Sequence, residues 1–593
     1  MKKMFSQGLA LAVVLGLTNC AYAAPVSYNL DEMVISASRM DLNLKELPQS
    51  AEIITKEEIK AIGATSIKEA LRVSPSVVIT EATNGDIFKV RGSSDVLILL
   101  NGRRLAREGG IDDYRLDKYN SQNIERIEIL RGPAGALYGS DAQGAVINII
   151  TKGPAEEGAV VGVNTGKREM SNYYRFDTGA MGKLSASLAA NFTKVRPFKW
   201  EDTSKTKSQG PKQNFNLDME YEMDQDNKLN FFAEFDNEDM TYIMRGKTRQ
   251  YSTERRGAAL GYEGKSDKSK YSVNTSYSRM DRRHSNEVYK FIDVDARNTV
   301  NSNDKFTLTY GGEYSIDKGP VNGKKFTTDQ WAGYVYGEYQ ASDKLLVIPS
   351  VRYDHHESFG SHVSPNLGLT YSLSDNSRIK ASYGTAYRAP TTYELYKEDS
   401  NWMYDMIPNP DLEPESSKGI ELAWERDFDA KTSGKLAYFK NDKEDAIVLT
   451  EVEDALYQHI NLEEASYEGV ELSLSRDLGN GFSAGFNYEY LDARDETNNS
   501  PISYTARNTY TAKLSWTEPE MQEWTVTVWN KWLSDYHCND RDYSANTFNM
   551  AVNKSWEDNK YNAFVGVDNV FDKKVTKLRY SGIVWRVGAE VRF

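Results

Sequence analysis

Cysteine is nearly absent from this sequence, because Cys20 and Cys538 are the only two among 593 residues. Cys20 lies in a segment that we predict to be removed on export, so the mature chain keeps Cys538 alone. A single cysteine excludes a disulfide framework and a cysteine-based metal site within one chain. We interpret Cys538 as a loop residue without a role in function. No internal run of about 20 apolar residues exists, which excludes a protein that spans a membrane with helices.

Hydrophobic residues are also scarce: they make up 39% of the chain, and the mean hydropathy is -0.62. Aromatic residues nevertheless reach 11%, and 37 of them are tyrosines. This composition fits a large β-structure, including a transmembrane β-barrel, which places its lipid-facing residues at alternate positions. The net charge of -14 argues against nucleic acid as a partner.

The first 24 residues have the features of a secretory signal peptide. Lys2 and Lys3 are followed by an apolar core, Leu9 to Leu17, and by the small-residue site Ala21-Tyr22-Ala23. Asn19 before Cys20 argues against a lipoprotein. We therefore predict a signal peptide over 1–24 and export from the cytoplasm.

The rest of the chain divides into three segments. Residues 25–38 form a short extended leader, and residues 39–153 have the mixed pattern of a compact α/β domain. Predicted helices at Lys56–Ile62 and Ser66–Val73 begin after the caps Thr55 and Thr65. The predicted strands of this domain are Ser50–Ile54, Val77–Thr80, Ile87–Arg91, Val96–Leu100 and Ile127–Leu130.

Residues 154–593 consist of alternating segments of about 10 residues separated by turns. Tight polar turns, such as Ser342–Lys344, alternate with long connections at 194–211, 238–251, 387–415, 442–464 and 533–544. We predict about 22 antiparallel strands, which close into a barrel too wide to fill with its own side chains. The last strand alternates between a lipid-facing set that ends at Phe593 and a lumen-facing set that includes Arg586 and Glu590.

One long motif, Ile124 to Lys152 (IERIEILRGPAGALYGSDAQGAVINIITK), identifies the domain before the barrel. Glycines at 135, 139 and 144 allow tight turns and close backbone approach. The motif resembles the end of the plug domain of TonB-dependent outer-membrane receptors. The resemblance implies a transmembrane β-barrel in the outer membrane with the mixed α/β plug, residues 39–153, inside its lumen. It also implies a monomer in outer-membrane lipid, energised by TonB and its inner-membrane partners.

The leader contains a short acidic and then apolar segment. In the receptor family the matching segment is the TonB box, which pairs edge-to-edge with a strand of TonB. The β-branched residues of this segment suit an extended strand, although Glu32 stands where threonine is commonest. The predicted TonB box is Asp31, Glu32, Met33, Val34, Ile35, Ser36 and Ala37.

Two plug arginines, Arg91 and Arg131, resemble a buried pair of the same family. The alternation of two barrel strands places Glu421 and Glu471 on the lumen face, two strands apart and both running downward. Two guanidinium groups and two carboxylates can then form bidentate ion pairs. We call these four residues the plug–barrel latch.

Two short boxes, Tyr387-Arg388-Ala389-Pro390 and Asn409 to Glu415, flank a loop rich in aromatic residues. They resemble paired boxes of many receptors in this family, haem receptors among them, and we interpret the boxes as anchors of the loop. Aromatic side chains can stack on a flat ligand, and histidine is a usual axial ligand of haem. The candidate ligand-binding residues are Tyr393, Tyr396, Trp402, Tyr404, His355 and His356.

The resemblance predicts active uptake of a nutrient too large for porins. An iron complex, either a ferric siderophore or haem, is the first choice, and cobalamin is the alternative. The family implies that the outer loops and the plug apex, near 83–86 and 107–113, bind the ligand. A passive porin and a surface adhesin are the alternative functional classes that the sequence leaves open. No catalytic motif, resident cofactor or metal site is predicted, so we do not expect an enzyme.

Overall fold

The computed structural model describes residues 33–34, 42–81, 86–105, 113–114, 116–132, 135–139, 142–154, 156–199, 207–244, 247–400, 405–453, 455–538, 541–575 and 580–593. The predicted signal peptide lies outside these ranges, as do the plug segments 82–85 and 106–112. Among the helices of the described residues, none has the length and apolar character to cross a membrane.

The first part of the chain forms small sheets and short helices. Its strands are β1 (Met33–Val34), β2 (Leu42–Asn43), β3 (Ala51–Thr55), β4 (Val77–Glu81), β5 (Asp86–Val90), β6 (Val96–Leu100), β7 (Arg103–Arg104), β8 (Asp113–Tyr114), β9 (Ile124–Arg131) and β10 (Ala145–Thr151). Its helices are α1 (Lys56–Ala61), α2 (Ile67–Leu71) and α3 (Gly135–Tyr138), with 3-10 turns at Leu116–Lys118 and Ser121–Asn123. One sheet has the order β3-β9-β10-β6-β7, another has the order β4-β5-β8, and β1 pairs with β2.

The helix starts confirm one predicted cap and correct the other. The Thr55 side chain accepts a hydrogen bond from the backbone N–H of Glu58 and so caps α1. The cap of α2 is Ser66, which accepts from the Glu69 N–H, so the prediction of Thr65 was wrong. The Thr65 hydroxyl instead donates to the Glu69 carboxylate. Helix α3, within the glycine-rich motif, was not predicted.

The second part of the chain forms a closed barrel of 22 long antiparallel strands, as predicted. They are β11 (Gly158–Gly166), β12 (Glu169–Met181), β13 (Leu184–Lys199), β14 (Lys207–Glu222), β15 (Asn227–Met244), β16 (Lys247–Lys265), β17 (Ser269–Arg282), β18 (Glu287–Asn303), β19 (Phe306–Val321), β20 (Lys324–Ser342), β21 (Leu345–His356), β22 (Gly360–Ser374), β23 (Ser377–Arg388), β26 (Glu415–Asp429), β27 (Thr432–Glu453), β28 (Leu456–Gly479), β29 (Phe482–Asp495), β31 (Thr505–Thr517), β32 (Trp524–Cys538), β33 (Arg541–Trp556), β34 (Tyr561–Asp568) and β37 (Val584–Arg592).

Short strands and one helix lie in the connections, and the first and last long strands close the barrel. These short elements are α4 (Thr392–Tyr396), β24 (Asp399–Ser400), β25 (Asp405–Ile407), β30 (Ser500–Pro501), β35 (Lys574–Val575) and β36 (Tyr580–Ser581). Strand β11 pairs with β37 along seven residues, so neither strand is left as an open edge.

Most of the predicted long connections are extended hairpins rather than loops. The range 442–464 is occupied largely by the ends of β27 and β28, and 238–251 by the ends of β15 and β16. Some connections at the outer end are tight, such as the turn at 322–323 between β19 and β20. The prediction that short and long connections alternate strictly was therefore wrong. Many strands continue beyond the membrane into polar sequence that was interpreted as loop.

Alternate residues face opposite sides of the barrel wall, as the sequence pattern predicted. In β26, Ile420 and Leu422 are 49% and 55% exposed on the outer surface, whereas Glu421 between them is 7% exposed. In the last strand, Trp585 and Val587 are exposed and Arg586 is buried. Apolar residues therefore face lipid, and polar residues face the lumen.

The first part of the chain occupies the lumen, where many of the wall residues are small and polar. The Asn120 side chain donates to that of Asn191 on β13, and the Asn553 side chain on β33 donates to the Ala61 carbonyl. On β32, Lys531 donates to three plug carbonyls. Because these contacts come from several sides of the barrel, the plug lies inside it.

Helix α3 packs directly against the backbone of the barrel wall, and a glycine allows this approach. A Cβ atom added at Gly135 would lie 2.7 Å from the Cα atom of Ala386 and 2.8 Å from the carbonyl oxygen of Thr385 on β23. Gly139, at the end of the same helix, has a φ of +77°, which a residue with a side chain rarely adopts. Gly135 and Gly139 therefore let the plug approach the wall closely, whereas Gly144 packs against Ser93 and Asp95 within the plug.

Replacing Gly135 with valine is expected to lower the stability of the seated plug by about 1–3 kcal/mol, because the barrel backbone cannot move to make room. Increased protease cleavage within 116–154 of the purified protein would measure this loss. Gly153→Val is the matched control, because a Cβ atom there meets nothing within 4 Å. Equal cleavage of the two variants would contradict the prediction.

Candidate functional site: the plug–barrel interface

A tight turn after β5 directs Arg91 toward the barrel wall. The φ of Arg91 is 49° and that of Gly92 is 79°, so two consecutive residues adopt the left-handed conformation. The backbone N–H of Arg91 donates to the Ser76 carbonyl at 3.3 Å. A residue other than glycine holds this conformation only where its surroundings fix it, so the contacts of the Arg91 side chain contribute to the shape of the turn.

Arg91 forms ion pairs with two glutamates on separate barrel strands. Its Nε and Nη2 atoms donate to the two carboxylate oxygens of Glu471 on β28, both at 2.8 Å. Its Nη1 atom donates to Glu421 on β26 at 2.7 Å. Burial alone would lower the pKa of Arg91, but the two carboxylates outweigh burial and raise it. The guanidinium also lies 4.0 Å from the centre of the Phe439 ring.

Arg131 joins the same cluster but binds mainly within the plug. Its Nη1 atom lies 3.5 Å from Glu471, whereas its Nε atom donates to the Ser76 hydroxyl at 2.8 Å and its Nη2 atom pairs with Glu52. The structure therefore brings the four predicted latch residues together, with Glu471 as the carboxylate that both arginines share. Glu52 and Ser76 were not predicted.

Glu489 is a further acidic residue of this site that sequence reasoning missed. It is the cross-strand partner of Glu471 and is only 3% exposed. Like charges directly opposite each other destabilise a sheet, and the Arg91 and Arg131 guanidiniums of the plug offset the repulsion between these two buried carboxyl groups. The lumen-facing position of Glu489 in the alternation of β29 was the signal that could have identified it.

A small cavity lies beside the latch. Its volume is about 30 Å³, and its lining includes Arg91, Arg131, Glu421 and Asn441. This volume is large enough for a water molecule, and the lining offers several hydrogen-bonding groups. The cavity can therefore hold a water molecule beside the ion pairs.

A second group of charged residues connects the plug to the outer loop, residues 389–414. Plug residue Asp95 pairs with Lys443 on β27 and lies 3.4 Å from Nε of Arg388, at the end of β23. Arg388 also pairs with Glu415 and, at 3.0 Å, with Glu394 in α4. We call Asp95, Arg388, Glu394, Glu415 and Lys443 the outer cluster. Arg388 and Glu415 belong to the two boxes that were interpreted as loop anchors.

The outer loop is held to two hairpins of the barrel. The Asn322 side chain donates to the Tyr396 carbonyl at 2.5 Å, and the rings of Tyr396 and Phe326 stack at 4.7 Å between centroids. Strand β25 pairs in parallel with the upper part of β28. Tyr393 lies edge-on to His459, with centroids 6.2 Å apart. The other two aromatic candidates, Trp402 and Tyr404, lie outside the described residues.

The two candidate histidines face opposite sides of the wall. His356 is 6% exposed on the lumen side, and its Nδ1 atom accepts a hydrogen bond from the Ser358 N–H at 3.1 Å. His355 is on the lipid-facing side, where its ring lies 5.5 Å from that of Trp331. His355 therefore points away from a ligand in the lumen.

Two residues of the predicted TonB box are within the described chain. Met33 pairs with Asn43 and Val34 pairs with Leu42, in antiparallel register. The remaining residues of the box, Asp31, Glu32, Ile35, Ser36 and Ala37, lie outside the described residues. In this arrangement, part of the box is already hydrogen-bonded to the start of the plug.

Cysteine and metal-ligating residues provide no further site in the described part of the chain. Cys538 is buried at the end of β32, where it packs with Leu533, Tyr536 and Ala545 rather than lying in a loop as interpreted from sequence. Within the described ranges, no group of three histidine, cysteine, aspartate or glutamate residues is arranged to hold a metal ion.

Comparison with known proteins agrees with this architecture. The family model "TonB dependent receptor-like, beta-barrel" matches residues 159–570, and the "TonB-dependent Receptor Plug Domain" model matches residues 43–146. The vitamin B12 transporter BtuB of Photobacterium profundum is 29% identical over 528 residues, which cover 82% of this chain and 83% of that protein.

Solved structures share the fold at low sequence identity. A variant of the ferric enterobactin receptor PfeA of Pseudomonas aeruginosa has a TM-score of 0.80 at 19% identity, covering 92% of this chain and 100% of that one. The siderophore receptor PirA of Acinetobacter baumannii has a TM-score of 0.79 at 20% identity, covering 92% and 98%. The barrel model alone matches more than half of the sequence, and the chain belongs to the TonB-dependent receptors, which are transport proteins of the outer membrane.

Proposed function

We propose that this receptor binds a compact metal chelate at its outer mouth and releases it into the periplasm when TonB pulls on the leader. The observation that carries this proposal is the plug, which fills the lumen and is held there by buried ion pairs of Arg91 with Glu421 and Glu471. A passive porin needs an open lumen, and this arrangement needs an energy input to open one.

The plug–barrel latch, in this proposal, limits which part of the plug moves. Breaking a buried ion pair by removing one partner costs about 3–5 kcal/mol, so the segment that carries Arg91 and Arg131 is the part most strongly attached to the wall. Ahead of β3, the described residues Leu44 and Glu46 contact the barrel through their backbone carbonyls, which accept from Lys380 and Thr370. We infer that TonB unfolds the plug from its leader and leaves the latch until last.

The outer cluster gives the ligand-binding loop a direct connection to the plug. Arg388 contacts Glu394 in the loop helix and Asp95 in the plug. A ligand that displaces α4 would therefore alter the charge balance around Asp95. This connection is the route by which we propose that loop movement reaches the plug. Among the candidates for ligand contact, Tyr393, Tyr396 and His356 are described residues that do not face the lipid.

Cobalamin is the chelate that we propose first, ahead of a ferric siderophore or haem. One relative that is similar across most of both chains is named a vitamin B12 transporter. The outer ends of β27 and β28 also carry exposed or partly exposed Glu451, Glu453, Glu463 and Glu464. Negative potential at the mouth disfavours polyanionic iron complexes and tolerates a neutral or cationic corrinoid.

Titration of the purified full-length receptor with cobalamin, a ferric catecholate siderophore and haem tests the ligand. We expect cobalamin to bind about 100-fold more tightly than the other two, a difference of about 2.7 kcal/mol. Growth of a receptor-deletion strain on each nutrient, with and without the restored gene, provides the cellular control. If the siderophore or haem bound more tightly than cobalamin, that ligand would become the proposed substrate. Failure of all three to bind would contradict the metal-chelate proposal.

A further inference from the structure

Four cations form a continuous row across adjacent strands on the lipid-facing surface of the barrel. The strand register makes Arg256 on β16 the partner of Arg279 on β17, Arg279 the partner of Lys290 on β18, and Lys290 the partner of Lys318 on β19. Directly opposed residues lie about 4.5–5.5 Å apart between Cα atoms. We call Arg256, Arg279, Lys290 and Lys318 the cation row.

The cation row lies immediately above the apolar band of the barrel. The next lipid-facing row toward the periplasm is Ala258, Tyr277, Ile292 and Ile316, in the same register, and it ends at the acidic Asp329 on β20. The row after that is Leu260, Thr275, Val294, Tyr314 and Trp331. In β18, Lys290 is three residues from the outer end of the strand. The change from apolar to cationic rows places the four cations at the level of the outer-leaflet headgroups.

Half of the cation row is neutralised by acidic residues of the barrel, and half is not. Arg279 pairs with Asp281 at 2.7 Å, and Arg256 pairs with Glu254. The corresponding positions beside Lys290 and Lys318 hold Val288 and Pro320. Both lysines are exposed, and neither has an ion pair with another described residue.

Like charges opposite each other on a sheet destabilise it, and in the described part of the barrel acidic residues pair with Arg256 and Arg279 only. An anion from outside the barrel would therefore stabilise the half of the row that contains Lys290 and Lys318. Each lysine or arginine near a membrane surface contributes about 1 kcal/mol to the attraction of anionic lipid. The acyl chains of such a lipid would lie on the apolar rows below, where Tyr277, Val294 and Tyr314 are exposed. Both the charge and the apolar surface therefore fit a single amphiphilic molecule.

We propose that the cation row is a binding site for a phosphorylated lipid of the outer leaflet, with its phosphate groups on Lys290 and Lys318. Arg256 and Arg279, each with an acidic partner, form the less cationic end of the site. The proposal concerns the outside of the barrel and is independent of the transported ligand.

Lysines about a quarter of the way around the barrel, on β26 and β27, provide a matched comparison. Lys418 and Lys440 also face lipid, but Lys418 pairs with Glu444 at 2.7 Å and Lys440 pairs with Asp442 at 3.2 Å. The cross-strand partner of Lys440 on β28 is Glu468. A substitution of both lysines there removes the same charge from a surface that already has its own counter-charges.

Native mass spectrometry of the full-length receptor in detergent, with bisphosphorylated lipid A as the probe, tests the site. We expect K290Q/K318Q to weaken lipid A binding about 25-fold and K418Q/K440Q to leave it unchanged. Dephosphorylated lipid A should bind the wild type as weakly as lipid A binds K290Q/K318Q, and excess inorganic phosphate should not displace lipid A. Because all four positions are on the surface, both double variants should fold, which β-barrel heat-modifiability on gels would verify.

Several outcomes would overturn the lipid site. Equal lipid A binding by K290Q/K318Q and the wild type would remove the role of the two lysines. An equal loss of lipid A binding in K418Q/K440Q would show that the effect comes from the net charge of the barrel and not from a specific site. Displacement by inorganic phosphate would indicate an adventitious ion only, and a wild-type dimer that K290Q/K318Q converts to monomer would assign the surface to a second copy of the chain.

Discussion

Replacing Val34 with proline is expected to reduce TonB-driven uptake by about 100-fold, because two or three main-chain hydrogen bonds of about 1 kcal/mol each would be lost from strand pairing. Proline has no N–H group and fixes φ, so it cannot pair within a central strand. The measurements are accumulation of labelled cobalamin and of a ferric siderophore in cells, and capture of the TonB periplasmic domain by the purified receptor.

Val34→Ala is the matched control for this variant. Alanine keeps the backbone N–H and therefore keeps the main-chain pairing, so uptake should stay within about threefold of the wild type, the loss expected from β-propensity alone. Binding of cobalamin at the outer mouth should be unchanged in both variants, because residue 34 is in the leader. Normal uptake by the proline variant would remove the proposed role of Asp31–Ala37 as the TonB box.

Replacing Arg91 with alanine is expected to lower the free energy of plug unfolding by about 3–5 kcal/mol, because Glu421 and Glu471 would stay buried without their main cation. The left-handed turn at residue 91 would also lose the side-chain contacts that hold it. Amide hydrogen exchange of β5 and β9 in the purified receptor measures this effect, since exchange reports local opening. Single-channel conductance would report the same opening as an increased leak.

Lys56→Ala is the control, because Lys56 pairs with Glu125 at 2.6 Å on a surface where both side chains are more than one-third exposed. Exposed pairs contribute at most about 1 kcal/mol, so β5 and β9 should exchange as in the wild type. Protection in Arg91→Ala equal to that in Lys56→Ala would contradict a role for the latch. The double variant R91A/E471Q should recover part of the loss if the cost is an unpaired carboxylate.

Alternation along single strands was sufficient to predict the wall of this receptor and part of its interface. Side chains in a strand point to opposite faces with a period of two, so the apolar residues Ile420 and Leu422 on either side of Glu421 predicted that Glu421 faces the lumen. Counting strands then placed Glu421 and Glu471 on the same face and two strands apart. The closed barrel follows from the same pattern, repeated 22 times.

Contacts that depend on the position of the plug inside the barrel could not be predicted in this way. Asp95 and Lys443 are separated by 348 residues and meet only because α3 and β10 seat the plug at one height and rotation. Glu52 competes with Glu471 for Arg131, and nothing in the local sequence of either residue ranks the two partners. The cap Ser66 differs from the prediction by one residue, because adjacent Thr65 and Ser66 are both acceptable caps.

The small polar side chains that line the lumen have a consequence for how the plug leaves it. The asparagine amides and the serine and threonine hydroxyls around the plug can replace a hydrogen bond to protein with one to water at little enthalpic cost. As the plug moves, water would therefore hydrate the polar side chains of the wall one hydrogen bond at a time, and little apolar surface would be exposed. A pulling force would then break the hydrogen bonds between plug and wall in a series of small steps. The emptied lumen would stay hydrated, so that the plug could return to it.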